Sequence, residues 1–178
     1  PDGGPIRGLL DEGEHMFTGV HVLDPALVAR LPDDGAERCI VRHGYVPWLA
    51  AGVPLHAYVA RGYFMEHSTL ARYLLGNFNV LRGVARIAYP PGALVGIDAL
   101  ANIAASAQIV HPVRIGPGAR IGEAATIGPD VVIGRGATVV AGVTVRRSVV
   151  WPDAVVEASV EDAIVTPRQR LVVRQGSC

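Results

Sequence analysis

The second half of the chain carries a β-branched residue at every sixth position. Starting at residue 97, nine consecutive hexads begin with isoleucine or valine: Ile97, Ile103, Ile109, Ile115, Ile121, Ile127, Ile133, Val139 and Val145. Four places after each of these stands alanine or valine. A period of six fits neither a helix of 3.6 residues per turn nor a simple strand alternation. It is typical of a chain that forms one short strand and one corner per hexad, with inward side chains stacking at about 4.8 Å.

This hexad pattern resembles the hexapeptide repeat of the left-handed parallel β-helix. The resemblance predicts such a β-helix over residues 84–178, regular over residues 97–150, with three hexads per turn. Glycine follows the β-branched residue in four hexads, and we expect it to relieve the backbone at the corners. After residue 150 the phase changes, because residues 148–152 and 163–167 repeat at a spacing of 15. We therefore expect one irregular coil, continuing to about Val173.

The first part of the chain, residues 1–83, has shorter patterns that are typical of mixed α/β structure. Predicted strands cover residues 18–23, 53–60 and 63–66. Predicted helices cover residues 25–31, 46–51 and 70–81. Asp24 is a favourable N-cap and Pro25 suits a first helical position, so the first helix has a defined start. The last helix follows Ser68 and Thr69, a plausible cap, and its apolar residues recur at helical spacing.

Composition narrows the function classes. The 16 basic and 16 acidic residues give a net charge of zero, which argues against a nucleic-acid or anionic-membrane partner. No apolar run approaches the roughly 20 residues that span a bilayer. Two cysteines, Cys39 and Cys178, are too few for a secreted disulfide framework, so we expect a cytoplasmic protein. The chain begins at Pro1 without a signal peptide, and we expect it to be a fragment.

Three segments resemble motifs of nucleoside-diphosphate-sugar pyrophosphorylases, in the order those enzymes have them. Residues 17–23, Phe-Thr-Gly-Val-His-Val-Leu, are similar to their N/T-(A)-G-I-Y-V-L strand. Residues 62–69, Gly-Tyr-Phe-Met-Glu-His-Ser-Thr, are similar to their G-Y-W-x-D-I-G-T-P segment. A helix ending near Asn79-Val80-Leu81 then leads into the coils. The arrangement resembles the mannose-1-phosphate guanylyltransferase type of sugar-1-phosphate nucleotidyltransferase.

The resemblance implies both a fold and an activity. Residues 1–83 would be the C-terminal part of a Rossmann-like α/β nucleotidyltransferase domain, and residues 84–178 its left-handed β-helix. The implied reaction joins a nucleoside triphosphate to a hexose 1-phosphate, giving a nucleotide sugar and pyrophosphate. The family's G-x-G-T-R-L loop, G-D strand and E-K-P segment have no counterpart here. We therefore expect an N-terminal half to complete the substrate site, and this portion to be inactive alone.

The resemblance also implies site residues within this portion. Glu66 stands where the family has a second magnesium-binding aspartate, which implies a Mg²⁺ ligand, although glutamate is one methylene longer. Thr18 and Gly19 would bind substrate, through a hydroxyl and a close backbone approach. From the residues alone, Glu66 is equally a carboxylate near a helix N-terminus. Thr18 and Gly19 are equally ordinary strand residues.

Two other function classes stay open. A non-catalytic paralogue could act as a regulatory or assembly subunit through its β-helix. A hexapeptide acyltransferase would use His111 as a base, although this residue precedes Pro112 at an outward corner. A γ-type carbonic anhydrase is excluded, because it needs three histidine ligands and the coils contain only His111. Exposed prism faces and open coil ends predict a homo-oligomer.

Overall fold

A computed structural model describes residues 17–173, and the chain divides into two compact units between Phe64 and Met65. Residues 1–16 and 174–178, which the predicted domains include, lie outside the described residues. The division places residues 65–83 with the coils, whereas the boundary predicted after residue 83 follows the family motifs and stays a prediction. No helix within residues 17–173 is long and apolar enough to cross a bilayer.

The first unit contains short helices. They are α1 (Pro25–Val28), a π-helical turn (Val41–Tyr45) and α2 (Val46–Ala50). The start of α1 is as predicted, because the Asp24 carboxylate accepts the Ala26 N–H at 2.8 Å. This helix ends three residues earlier than predicted and has no buried residue. Tyr45 and Trp48 are buried and form the small apolar centre of the unit.

The three strands predicted over residues 18–23, 53–60 and 63–66 are wrong. Between residues 17 and 69 the structure has a single bridge residue, His56, and no strand. Val20 and Val22 are 78% and 98% exposed. β-Branched residues favour extended backbone, but a strand needs a neighbour to pair with, and the described residues here supply none. The Rossmann-like domain is therefore not seen in the described part of the chain.

The second unit is a parallel β-solenoid. Its strands are β1 (Gly96–Ile97), β2 (Asn102–Ile103), β3 (Gln108–Ile109), β4 (Val113–Ile115), β5 (Arg120–Ile121), β6 (Thr126–Ile127), β7 (Val131–Ile133), β8 (Thr138–Val139), β9 (Thr144–Arg146), β10 (Ser148–Val150), β11 (Val155–Val156), β12 (Val160–Glu161), β13 (Ala163–Val165) and β14 (Arg170–Val172). Every hexad residue from Ile97 to Val145 lies in a strand, which confirms the periodicity.

Three sheets form the faces of the solenoid. Their strand orders are β1-β4-β7-β10-β13-β14, β2-β5-β8-β11 and β3-β6-β9-β12. Ile97 pairs with Ile115 and Ile115 with Ile133, so one regular coil is three hexads. The register then shortens, and Val149 pairs with Ile164 as the spacing of 15 predicted. Strand β14 runs antiparallel to β13, an ending that the repeat did not predict.

Of the four glycines after β-branched residues, Gly128 has the positive φ of +110° that fits the expected relief of the backbone, whereas Gly122 and Gly134 have a different role. A Cβ on Gly134 would lie 2.4 Å from the Pro152 nitrogen, and one on Gly122 would lie 2.6 Å from the Ala141 nitrogen. Both obstacles are backbone atoms of the next coil. Glycine is therefore needed at these two positions because the coils approach closely, not because the backbone turns there.

Helix α3 (Leu70–Leu81) packs against the outer surface of the first sheet. Thr69 caps it by accepting the Arg72 N–H at 3.2 Å, as predicted. Its Leu74 and Phe78 form a buried cluster with Val149, Ile164 and Val173, against which Val132 and Leu171 also pack. The outward residues of this sheet that lie under α3 are thus apolar because the helix covers them.

Candidate functional site

Glu66 lies in the loop before α3, and its side chain is 57% exposed. Its Oε2 is 3.0 Å from Nη1 of Arg72 and accepts a bond from the Ser68 hydroxyl at 3.4 Å. Arg72 also donates to Ser68 at 3.2 Å. Arg72 and Ser68 therefore hold the carboxylate over the first turn of α3. An exposed ion pair of this kind contributes only about 0–1 kcal/mol, so the carboxylate can exchange partners.

The fit of Glu66 to a magnesium ion can be judged from its donors. Mg²⁺ usually takes one or two carboxylates, with substrate phosphates and waters completing its octahedron. Glu66 offers one exposed carboxylate, which suits a ligand shared with other groups. Across residues 17–173, no group of three His, Cys, Asp or Glu side chains could hold a metal ion. Glu66 therefore fits as one ligand of a shared site and does not form a complete site with described neighbours.

Thr18 and Gly19 are exposed in a bend of the first unit. Gly19 has φ +78°, a left-handed conformation that glycine adopts without steric cost. An added Cβ there would meet no atom of residues 17–173 within 4 Å. The backbone at Gly19 is thus open to the approach of another group, as a substrate-binding role requires. The strand that was expected to carry it is absent.

An aromatic cluster of Phe17, His21, Tyr45 and Trp48 holds this bend. Nδ1 of His21 hydrogen-bonds the Tyr45 hydroxyl, and the Phe17 and His21 rings meet edge to face at 5.1 Å. Burial raises the pKa of the Tyr45 hydroxyl. Sequence reasoning missed Tyr45 and Trp48, although Trp48 lies within the predicted helix over residues 46–51 and Tyr45 directly precedes it. The cluster anchors the segment that carries Thr18 and Gly19.

The predicted site residues fall into separate units. Thr18 and Gly19 belong to the first unit, and Glu66 belongs to the second. The structure describes each of these arrangements within its own unit. His111, the candidate base of the acyltransferase hypothesis, is exposed just before β4, at the outward corner that the sequence predicted.

A groove of about 570 Å³ lies beside the Glu66 loop in the second unit. Its lining includes His67, Leu70 and Tyr73 from the helix side, and Trp151, Arg168 and Leu171 from the solenoid side. The His67 ring stands edge to face with Tyr73 at 6.1 Å. His67 is exposed, and its ring lies beside α3 at the wall of an open, largely apolar groove.

Comparison with known proteins bears on the solenoid. Residues 95–173 match the family model of the GMPPB C-terminal domain. The matched range contains all strands from β1 to β14 and excludes α3. No curated protein matches the chain.

Proposed function

We propose that the chain is the C-terminal portion of a sugar-1-phosphate nucleotidyltransferase. Its solenoid belongs to the GMPPB C-terminal domain family, which confirms the resemblance to mannose-1-phosphate guanylyltransferases. In the proposed reaction, a phosphate oxygen of a hexose 1-phosphate attacks the α-phosphate of a nucleoside triphosphate. The bond to the β-phosphate breaks, and pyrophosphate leaves with its electron pair. The observation that carries the proposal is the match over residues 95–173, preceded in the chain by family motifs in family order.

The proposal extends to architecture and setting. It includes a left-handed sense for the coils and a nucleotidyltransferase α/β domain of which residues 1–83 are the C-terminal part. The nucleoside triphosphate and the sugar 1-phosphate would bind at a site completed by an N-terminal half. We place this enzyme in the cytoplasm, as a homo-oligomer associating through its β-helix, without nucleic-acid or membrane partners. The near-neutral charge and the exposed solenoid surfaces support these parts of the proposal.

Phosphoryl-group chemistry of this kind depends mainly on positioning and charge neutralisation. When bound, Mg²⁺ supplies charge neutralisation at the phosphate oxygens. Glu66 would contribute one carboxylate ligand, released from its exposed pair with Arg72. The Thr18 hydroxyl and the open backbone at Gly19 would bind the sugar moiety. In this mechanism Arg72 and Ser68 keep the carboxylate oriented until substrate binds.

The test is pyrophosphate release by the full-length protein in the presence of magnesium. We expect Glu66→Ala to lower turnover at least about tenfold, since losing even an outer-shell partner of a metal ligand costs about 10–100-fold. Glu157→Ala, which removes another exposed carboxylate of the second unit, is the matched control and should retain wild-type turnover. Wild-type turnover in Glu66→Ala would exclude Glu66 as a ligand. No pyrophosphate release by the wild-type protein with any sugar 1-phosphate would refute the proposed activity.

One observation favours the second candidate, a non-catalytic regulatory or assembly subunit. Glu66 is already engaged by Arg72 and Ser68, so its carboxylate has a structural role without any metal. A subunit of this class would release no pyrophosphate alone, but would associate with an active nucleotidyltransferase through its solenoid and change that enzyme's turnover. Mixing the two purified proteins and measuring both association and turnover distinguishes the candidates.

A further inference from the structure

One corner of the solenoid carries charges of alternating sign in successive coils. Asp130, Arg147 and Asp162 stand directly before β7, β10 and β13 of the first sheet. All three have positive φ, at 59°, 42° and 49°. Positive φ is uncommon for residues other than glycine, so its recurrence marks one repeated corner geometry. We refer to these three residues as the corner column.

Arg82, the C-cap residue of α3, forms an ion pair with Asp130 of the corner column. Its Nε donates to Oδ1 at 2.9 Å and its Nη2 to Oδ2 at 2.7 Å, a bidentate pair between residues 48 apart in sequence. Arg147 makes the equivalent contact with Asp162, with Nε at 2.8 Å from Oδ1. The hydrogen bond from Arg82 to Asp130 raises the pKa of Arg82. The pKa of Arg147 is raised mainly by its hydrogen bond to Asp162, and also by the charges of Glu161 and Asp130.

The burial of Asp130 gives its pair with Arg82 more weight than a surface ion pair has. Asp130 is only 5% exposed, whereas the Glu66 side chain is more than half exposed. A buried carboxylate that loses its partner is strongly destabilising, while an exposed one loses little. Bidentate guanidinium–carboxylate geometry adds directional preference. The end of α3 is therefore fixed to one corner of one coil.

Apolar packing alone would define the position of α3 poorly. Leu74 and Phe78 rest on outward residues of the first sheet, and successive coils present similar ones: Val132, Val149 and Ile164. A helix displaced by one coil, about 4.8 Å, toward β13 would still meet apolar residues, whereas the coil before Val132 carries Arg114 at this position. Asp130 is different, because the same corner of the next coil carries the opposite charge, Arg147. A displaced Arg82 would face a like charge.

We propose that Arg82 and Asp130 are positioning residues that select the register of α3 on the solenoid. An α-helix is stiff and rises 1.5 Å per residue, so a register fixed at Arg82 also fixes the first turn of α3, about 15 Å away. That first turn carries Arg72, the partner of Glu66. The consequence of this register for Glu66 as a metal ligand rests on the proposed function, whereas the register itself does not.

The register can be measured as a distance. Nitroxide labels at the exposed positions Ala71 and Glu157 report where α3 lies along the solenoid. They are introduced into the full-length protein, in which Cys39→Ser, Cys178→Ser and the replacement of any other cysteines prevent unwanted labelling. We expect one distance in the parent protein. In Asp130→Asn, which keeps the side-chain shape and tolerates positive φ, we expect a second population or a broadened distribution. Arg82→Gln should broaden the distance distribution in the same way, and the double variant should broaden it no further than either single variant. Arg82→Lys should partly restore the single distance.

Arg114→Gln is the matched control. It breaks another ion pair of the solenoid, Arg114 with Asp98 at 3.2 Å, without touching the helix. A single unchanged distance in both Asp130→Asn and Arg82→Gln would overturn the proposal. An equal broadening in Arg114→Gln would also overturn it, because the effect would then be general loosening. Pyrophosphate release is assayed separately, so loss of the proposed function leaves the distance result intact.

Discussion

The solenoid and the first unit use similar apolar residues with very different outcomes. Ile115 and Ile127 of the solenoid are completely buried, whereas Val20 and Val22 of the first unit are mostly exposed. The difference lies in pairing. The regular hexads give a strand a parallel neighbour 18 residues further along, as between Ile97 and Ile115, so each coil covers the previous one. The described part of the first unit has no such repeat, and its β-branched runs form no strand.

Helix starts behave alike in both units, in contrast to strands. Asp24 caps α1 in the first unit and Thr69 caps α3 in the second, each through a hydrogen bond to a nearby N–H. A cap needs only residues two or three places away, so its success does not depend on the rest of the fold. A strand, in contrast, depends on a partner elsewhere in the chain. The comparison of the two units therefore separates local helix caps from strands that need distant partners.

The largest effect is expected from truncating a buried hexad residue. Ile127→Ala should lower the free energy of unfolding of the solenoid by about 2–5 kcal/mol, because a completely buried side chain leaves a cavity. Val22→Ala, at a position 98% exposed, should change the stability of its unit by less than about 0.5 kcal/mol. Urea unfolding followed by circular dichroism measures both. Equal losses would contradict the contrast between the units.

A medium effect is expected from filling the close approach between coils. Gly134→Ala should destabilise the solenoid by about 1–3 kcal/mol, because the new methyl group would meet backbone atoms of the next coil. Gly92→Ala is the control, since a Cβ there meets nothing within 4 Å. That variant should be neutral or more stable by up to about 1 kcal/mol. Gly134→Ala should therefore lower the unfolding midpoint measured by calorimetry, whereas Gly92→Ala should leave it unchanged or raise it. Identical midpoints in the two variants would refute the steric argument.

The smallest effect is expected at the helix caps. Thr69→Ala should cost the second unit about 1 kcal/mol, since α3 is packed on the solenoid and its cap contributes to the stability of the whole unit. Asp24→Ala removes the cap of a four-residue helix without buried residues, so it should leave the unfolding midpoint of the second unit unchanged. Hydrogen exchange of residues 70–81 and 25–28 separates the two effects. The prediction would be contradicted if both variants exchanged faster in residues 25–28 alone.

Much of the second unit could be predicted from sequence. The hexad positions, the coil length, the change of spacing after residue 150 and helix α3 are all confirmed. The antiparallel ending by β14 was not predictable from the repeat, because it departs from the periodicity. Of the candidate site, the sequence indicated Glu66 and Gly19, but not the Arg72 and Ser68 contacts or the Tyr45 cluster that surround them.

The amino-acid sequence by itself determined the hexad positions of the coils and the capped starts of α1 and α3, because periodicity and capping act between residues that are adjacent or regularly spaced. The tertiary structure alone decided which charges meet. Arg82 finds Asp130 across 48 residues only once the coils have stacked and the helix has covered the first sheet. Coil stacking likewise decided which glycines are needed, because the obstructing backbone belongs to the next coil. Such contacts depend on the accumulated geometry of the whole unit, which no local pattern encodes.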